Sequence, residues 1–551
     1  MIKAYGRSYL YSFCFILLAV IPILSSCANQ PHQSKQAPQS TKQVAQQCNP
    51  SGGGKTTQSF STPADATITS NMFSRTGQQS ALTSNRRHQG SQIVTVSYDR
   101  QATSVSQFAA GLTQSDNQIM DGGSSDQCVL SSVQSMIKQG VKYVNTPIMA
   151  WGLPDPWPDP STPGPTDWDS LDARVQLVQR LGETPVITLA EAPWWMKGMY
   201  VGHGKTQPLT ADQEWQVEAY ESRILDNKMD AWTHLVQAVA QRYMRPPYNV
   251  RYFQVWNELK GYYDPDINNY DFTTSAGNPD GPNARHGYTY MYNQVYTTLM
   301  NVASSLHVSQ QEVNVGGPYV VMDTWSSNAQ QSHPSRLVKP YGVFDQRSLN
   351  VVQYWLQHKA GAGFITFDAS LENRDTGKIL NQQPFVSASI FADTVRWIRS
   401  LNPTLYPGAN TLPIWLAEWY SWTETDNTSL QEDNALKTVT MLQFIEAGGG
   451  IALSWNNFGN GGSDYGLWSP TQKAGREQAN PWYDSYKALT ENFGSGTTLY
   501  RTTVSDPGSV AALASQKQLL LVNQTASSVQ VHVNNSTIAL SPYQVSFTAL
   551  K

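Results

Sequence analysis

The sequence predicts an α/β chain, a (β/α)8 barrel with a small C-terminal β-sandwich, and three observations carry that expectation. From about residue 93 to residue 490, short apolar runs alternate with segments of helical period, giving eight strands, the count of a closed parallel barrel. After Thr497 the helical period vanishes, and QLLLVNQ (518–524), SVQVHVNN (528–535) and YQVSFTAL (543–550) alternate at strand spacing. The fourth and seventh strands of the alternation each run abruptly into a glutamate among aromatic residues.

Residues 1–26 read as a secretory signal, with Lys3 and Arg7 ahead of an apolar stretch from about Phe13 to Leu24. Its Leu-Ser-Ser-Cys ending resembles a bacterial lipobox, which makes Cys27 the lipidated first residue of the mature chain. An uncleaved anchor is the other reading, but ~12 apolar residues fall short of the ~20 that a spanning helix needs. The expected location is extracytoplasmic, tied to a bacterial membrane by lipid alone, and Ala28 points to the outer membrane in a Gram-negative host. Residues 27–90 are rich in Gln, Ser, Thr, Asn and Pro and hold too few large apolar side chains to fold independently, so they read as a tether. Cys14 leaves with the signal and Cys27 takes the lipid, while Cys48 and Cys128 stand in an oxidising compartment where they can pair.

The barrel is expected over residues 91–490. A strand at 92–98 precedes a first barrel strand near 105–112, and Asp126 is placed to cap a helix bearing Val129, Val133, Met136 and Ile137. Strand 141–148, a helix from about Asp167 to Leu181, strand 184–190 and a helix through Trp232, Leu235, Val236, Val239 and Tyr243 lead to the fourth strand, before Glu258. Helix 288–306, strand 312–319, helix 349–358, strand 363–367, helix 388–401, strand 412–418, helix 433–447 and strand 450–455 complete the count. Residues 491–551 form the sandwich, which strand 92–98 can complete, and read as a stabilising cap because no aromatics cluster there.

A net charge of −4 with 14% charged residues carries no basic excess for nucleic acid. No CxxC pair, HExxH or close histidine cluster is present, so neither a metal nor another cofactor is expected. The 17 Trp and 27 Tyr exceed what a core needs, and each near a strand end has two readings, a surface on which a sugar ring stacks or core filling.

Barrel active sites gather at the C-terminal ends of the strands, so Glu258 and Glu418 are expected at one mouth. Glycoside cleavage asks for such a pair: one protonated carboxyl for the leaving oxygen, and one carboxylate that attacks the anomeric carbon or activates water. Asn257 is placed to bond the hydroxyl next to that carbon. A Trp-Asn-Glu tripeptide alone is a weak signal, and the weight lies in the second glutamate three strands on.

Several segments in order resemble clan A glycoside hydrolases, and within them glycoside hydrolase family 39: TPVITLAEAPWWMKG (184–198), YFQVWNELKGYY (252–263), VGGPYV (315–320), PIWLAEWY (413–420), DYGLW (464–468) and NPWYDSYKAL (480–489). That family includes β-xylosidases, α-L-iduronidases and exopolysaccharide hydrolases. The resemblance spans roughly residues 93–551 and implies Glu258 as acid/base, Glu418 as nucleophile and Asn257 on the sugar 2-hydroxyl, in a double displacement that retains configuration. Glu258 is then expected to be protonated at rest, held so partly by the negative Glu418.

Departures bear on the sugar. The family commonly has His and Tyr where GFITFDAS places Asp368 and Ser370, and Asn145 stands where an Arg is common. Asp368 has two readings, a sugar contact or a helix or turn cap. Trp194, Trp195, Trp419, Tyr420, Trp455 and Asn456 complete the candidate sugar-binding residues, and the Pro- and Asp-rich insertion 151–168 is expected to wall the cleft. The alternatives are an exo-acting β-xylosidase, an endo-acting hydrolase of exopolysaccharide, a transglycosylase and a non-catalytic glycan-binding lipoprotein.

Overall fold

The computed structural model describes residues 92–113, 127–149, 153–200, 206–210, 222–274, 286–376, 384–421, 428–455, 466–467 and 479–550. The signal, the tether, Cys27, Cys48 and Asn456 lie outside these residues, as does the side chain of Cys128. Among the described residues no helix is long and apolar enough to cross a membrane.

Eight parallel strands close into a barrel: Ala109–Thr113, Tyr143–Pro147, Thr184–Leu189, Tyr252–Val255, Asn314–Val321, Phe364–Ser370, Ile414–Tyr420 and Ile451–Ser454. The helices that follow them are Gln127–Gly140, Asp169–Leu181, Met229–Tyr243, Tyr288–Ser305, Gln346–His358, Ile390–Ser400, Leu430–Glu446 and Pro481–Phe493. Helix boundaries move where caps override periodicity. The seventh helix starts at Leu430 rather than 433, because the Ser429 side chain accepts from Glu432 N at 3.1 Å, a Ser-x-x-Glu start that the hydrophobic pattern does not register. The first barrel strand begins at Ala109 rather than near Val105, because Ser106 turns the chain: its N donates to Thr497 O and its hydroxyl to Phe493 O.

The strand expected at 92–98 runs from Gln92 to Val105 and lies inside the C-terminal sheet, parallel to Val529–Val533 and antiparallel to Thr498–Val504. That seven-stranded sheet curls so that Val94, Val531, Leu519 and Leu521 share one apolar cluster. The alternate residues Leu513, Leu520 and Val522 point the other way and join the barrel's main core. Strand period two thus gives the sandwich a face for itself and a face for the barrel.

Inside the barrel the same period stacks layers. The floor is aromatic: Tyr143, from the second strand, reaches Trp415 in the seventh at 5.7 Å between rings, and Trp415 stacks on Phe364 at 3.7 Å. The fifth strand contributes Gly316 there, where a Cβ would stand 2.1 Å from Phe364. Two residues further along the strands the layer turns polar. Gln254 Nε2 donates to Thr188 Oγ1 at 3.1 Å, and Thr188 Oγ1 donates to Asn145 Oδ1 at 2.6 Å. The chain continues through Thr113 to the carbonyl of Ala417, the residue before Glu418. Asn145 is therefore a strut below the mouth, a different task from an arginine in the pocket.

Candidate active site

Three carboxyls meet above the polar layer: Glu258, Asp368 and Glu418 each bring an oxygen within 4.8 Å of the other two. They arrive from different directions. Glu418 lies within its strand, and Asp368 is its register partner on the neighbouring sixth strand, after an irregularity between Phe367 and Asp368. Glu258 sits three residues beyond Val255, in a turn where Trp256, Glu258 and Leu259 adopt φ of 68°, 49° and 51°. Side chains rarely take such angles, so the surroundings must hold the turn. Gly261 (φ 75°) passes so close to Ser222 that a Cβ would lie 1.9 Å from its carbonyl oxygen. Arg223 pins the neighbouring loops, 3.0 Å from Asp226 and 2.9 Å from Asp271.

The charges are arranged by two residues that the sequence reading did not assign. Lys260 Nζ lies 2.9 Å from Glu258 Oε2, both side chains being about one-seventh exposed. The Tyr319 hydroxyl donates to Glu418 Oε2 at 3.2 Å. Burial would raise the Glu258 carboxyl, but the Lys260 ammonium and a hydrogen bond from Asp368 outweigh it and hold the group below its ordinary value. Glu418 is pushed up to about 8 by burial and by the negative Glu258, with Lys260 and the Tyr319 bond opposing. Asp368 is raised well above the carboxylate range by burial, then by Glu258 and Glu418. These directions run against the expectation that Glu258 carries the proton at rest: Lys260 favours the Glu258 anion, while burial and the neighbouring carboxyls favour protonated Asp368 and Glu418.

Asn257 is buried beside Tyr319, and no donor among the described residues reaches its Oδ1. Asp368 has no exposed surface and lies beside the two glutamates, and its strand continues to Ser370, so it is not a helix or turn cap. Trp419 is also core: it is buried on the opposite face of the strand from Glu418, against Phe391, Trp482 and Tyr486. Tyr420 and Trp455 remain half-buried, edge to face at 5.6 Å. Trp194 and Trp195 are half-buried as well, and Trp195 is fixed by its Nε1 on Trp157 O at 3.0 Å. Trp157, from the Pro-rich insertion, packs down on Trp195 and His234, so this part of the insertion is anchored to the barrel wall.

Among the described residues the three carboxyls are the one group of His, Cys, Asp and Glu close enough to share a metal ion. We assign no metal to them, because the Lys260 ammonium already supplies a positive charge within the cluster. Lys260 and Tyr319 lay in the sequence segments that carried the resemblance, and their only individual signal was position, two residues after Glu258 and at the end of the fifth strand.

Residues 507–548 match the family model of the D-apionate lactonase C-terminal immunoglobulin-like domain. No curated protein matches the chain in sequence. Among solved structures, the chain is similar to a conserved exported protein from Bacteroides fragilis (8% identity, TM-score 0.54, covering 83% of this chain and 100% of that one). It is similar to SrfJ from Salmonella typhimurium (11% identity, TM-score 0.50, covering 85% and 93%). It also aligns with a family 39 β-xylosidase from Caulobacter crescentus (13% identity, TM-score 0.46, covering 84% and 97%). The first two likenesses support the fold, a barrel with a C-terminal β-sandwich.

Proposed function

We propose that this protein is a retaining glycoside hydrolase, related to family 39, that cleaves an extracytoplasmic β-glycan or exopolysaccharide from a lipid anchor at Cys27. The observation that carries the proposal is the convergence of Glu258 and Glu418 from the fourth and seventh strands to within 4.8 Å. An approach of their oxygens to within 4.8 Å is in keeping with the ~5 to 5.5 Å between the carboxyls of a retaining pair, whereas an inverting pair stands ~6.5 to 9.5 Å apart to admit water.

In the first step Glu418, ionised, attacks the anomeric carbon while Glu258 gives its proton to the leaving oxygen, so the C–O bond breaks and a glycosyl ester forms on Glu418. In the second, Glu258 as carboxylate takes a proton from water, whose oxygen displaces Glu418. The resting site needs no net gain of protons for this. Moving one proton from Glu418 to Glu258 converts the resting arrangement into the productive one at constant charge. Asn257 Oδ1 is the acceptor offered to the 2-hydroxyl, and Tyr420, Trp455 and Trp194 are the half-exposed rings offered for stacking.

The test is reducing-end release by residues 90–551 from a panel of β-linked oligosaccharides and bacterial exopolysaccharides, with the anomeric form of the first product read by NMR. The β-anomer from a β-glycoside, absent in Glu418→Gln, is the expected result. Cleavage with inversion, or binding of a glycan without cleavage by wild type and variant alike, sinks the proposal.

A further inference from the structure

The third carboxyl has no task in the two-glutamate scheme. Asp368 is fully buried, opposite Glu418 across two parallel strands. No N–H or O–H donor among the described residues reaches either of its oxygens. Oxygens of Asp368, Glu258 and Glu418 lie within 4.8 Å of one another, and a carboxyl can hydrogen-bond a neighbouring carboxylate only with a proton between them. Around it stand Glu258, Glu418 and Lys260, with the Tyr319 hydroxyl on Glu418 and Arg374 acting on Glu258 from further off, so the nearest cation faces three acids.

We propose that Asp368 works as a neutral carboxylic acid, keeping its proton through turnover and donating a hydrogen bond to Glu258 whenever Glu258 is ionised. The inference rests on the glycosidase reading above for its role, though not for its proton. Through the double displacement one carboxylate exists at a time: Glu418 before attack, Glu258 while the glycosyl ester stands. Each is balanced by Lys260, and an ionised Asp368 would add a second buried anion with no donor to meet it. Asp368 is thus a positioning residue for Glu258. It steadies the anion that must take a proton from water in the second step, where the loss of a donor is felt most.

The experiment is infrared spectroscopy in D2O of the full chain carrying carboxyl-13C aspartate, with no glycan present. A label-shifted carboxylic C=O band that persists near neutral pH, is lost in Asp368→Asn and changes frequency in Glu258→Gln is expected. No aspartate band sensitive to Glu258→Gln overturns the assignment, and this reading survives even if Asp368→Asn fails to fold. Kinetically, Asp368→Asn, which keeps a neutral donor, should exceed Asp368→Leu by about tenfold in kcat with similar KM. Equal losses in the two overturn the donor role. Absence of any hydrolysed glycan counts against the glycosidase reading, while the band still decides the proton.

Discussion

The floor and the mouth of the barrel are built from the same strands only a few residues apart, yet they follow opposite rules. At the floor Tyr143, Tyr252, Phe364 and Trp415 fill the lumen ring against ring, and every contact there favours folding. At the mouth Glu258, Asp368 and Glu418 crowd three carboxyls together, Glu258 from a turn in which Trp256, Glu258 and Leu259 have positive φ. The polar layer of Gln254, Thr188, Asn145 and Thr113 separates them. The difference teaches a division of labour: one end supplies the stability that lets the other hold groups in unfavourable states.

The widest separation of the two ends should come from Glu418→Gln. Activity is expected to fall on the order of 10^4-fold or more, as for a lost nucleophile. Stability should move the other way. The folded Glu418 titrates near 8, above its unfolded value, so wild type loses stability as pH rises from about 4 toward 8, and the glutamine variant escapes that loss. Thermal melts of the two proteins should therefore diverge as pH goes from 5 to 8, with the variant higher. A gap that is flat with pH would mean that Glu418 is not strained in the folded state.

Trp415→Ala attacks the floor instead. Removing a ring stacked on Phe364 and edged by Tyr143 and Tyr252 should cost about 3–5 kcal/mol of unfolding free energy in denaturant titration. The molecules that remain folded should keep their pH profile. A changed profile would show that floor and mouth are coupled across the polar layer. Thr188→Val tests that layer directly, because it leaves Gln254 Nε2 and Asn145 Oδ1 without their shared hydroxyl. We expect a loss of about 1–3 kcal/mol in the same titration, with a smaller effect on turnover.

The barrel was legible because its signals are local and repeated: periodicity marked the eight strands, and two of them led visibly into Glu258 and Glu418. Where the sequence misled, a contact distant in the chain decided. Trp419 reads like Trp455 beside a strand end, but it falls on the opposite face from Glu418 and meets Trp482 and Tyr486 some sixty residues on. Asp368 reads equally as a sugar contact or a cap until the sixth and seventh strands pair and set it across from Glu418. The lowering of the Glu258 carboxyl by Lys260 was missed for a nearer reason. Lys260 is only two residues away, and the tight turn with positive φ folds its ammonium back onto the carboxylate, where an extended strand would send alternate residues along one face at greater distance.

Lys260 also supplies the smallest and most diagnostic prediction. The Glu258 and Glu418 pair works with one proton between them, so kcat/KM should be bell-shaped, rising through a limb below the ordinary glutamate range and falling through one near 8. The Lys260 ammonium lowers both groups. Its removal in Lys260→Met therefore raises both, and both limbs should move to higher pH, by about one unit. A structural role for Lys260 would lower the height of the bell and leave its limbs in place, whereas a charge role moves the limbs whatever happens to the height. Movement of the acid limb alone would mean that Lys260 serves Glu258 and leaves Glu418 to burial and to Tyr319.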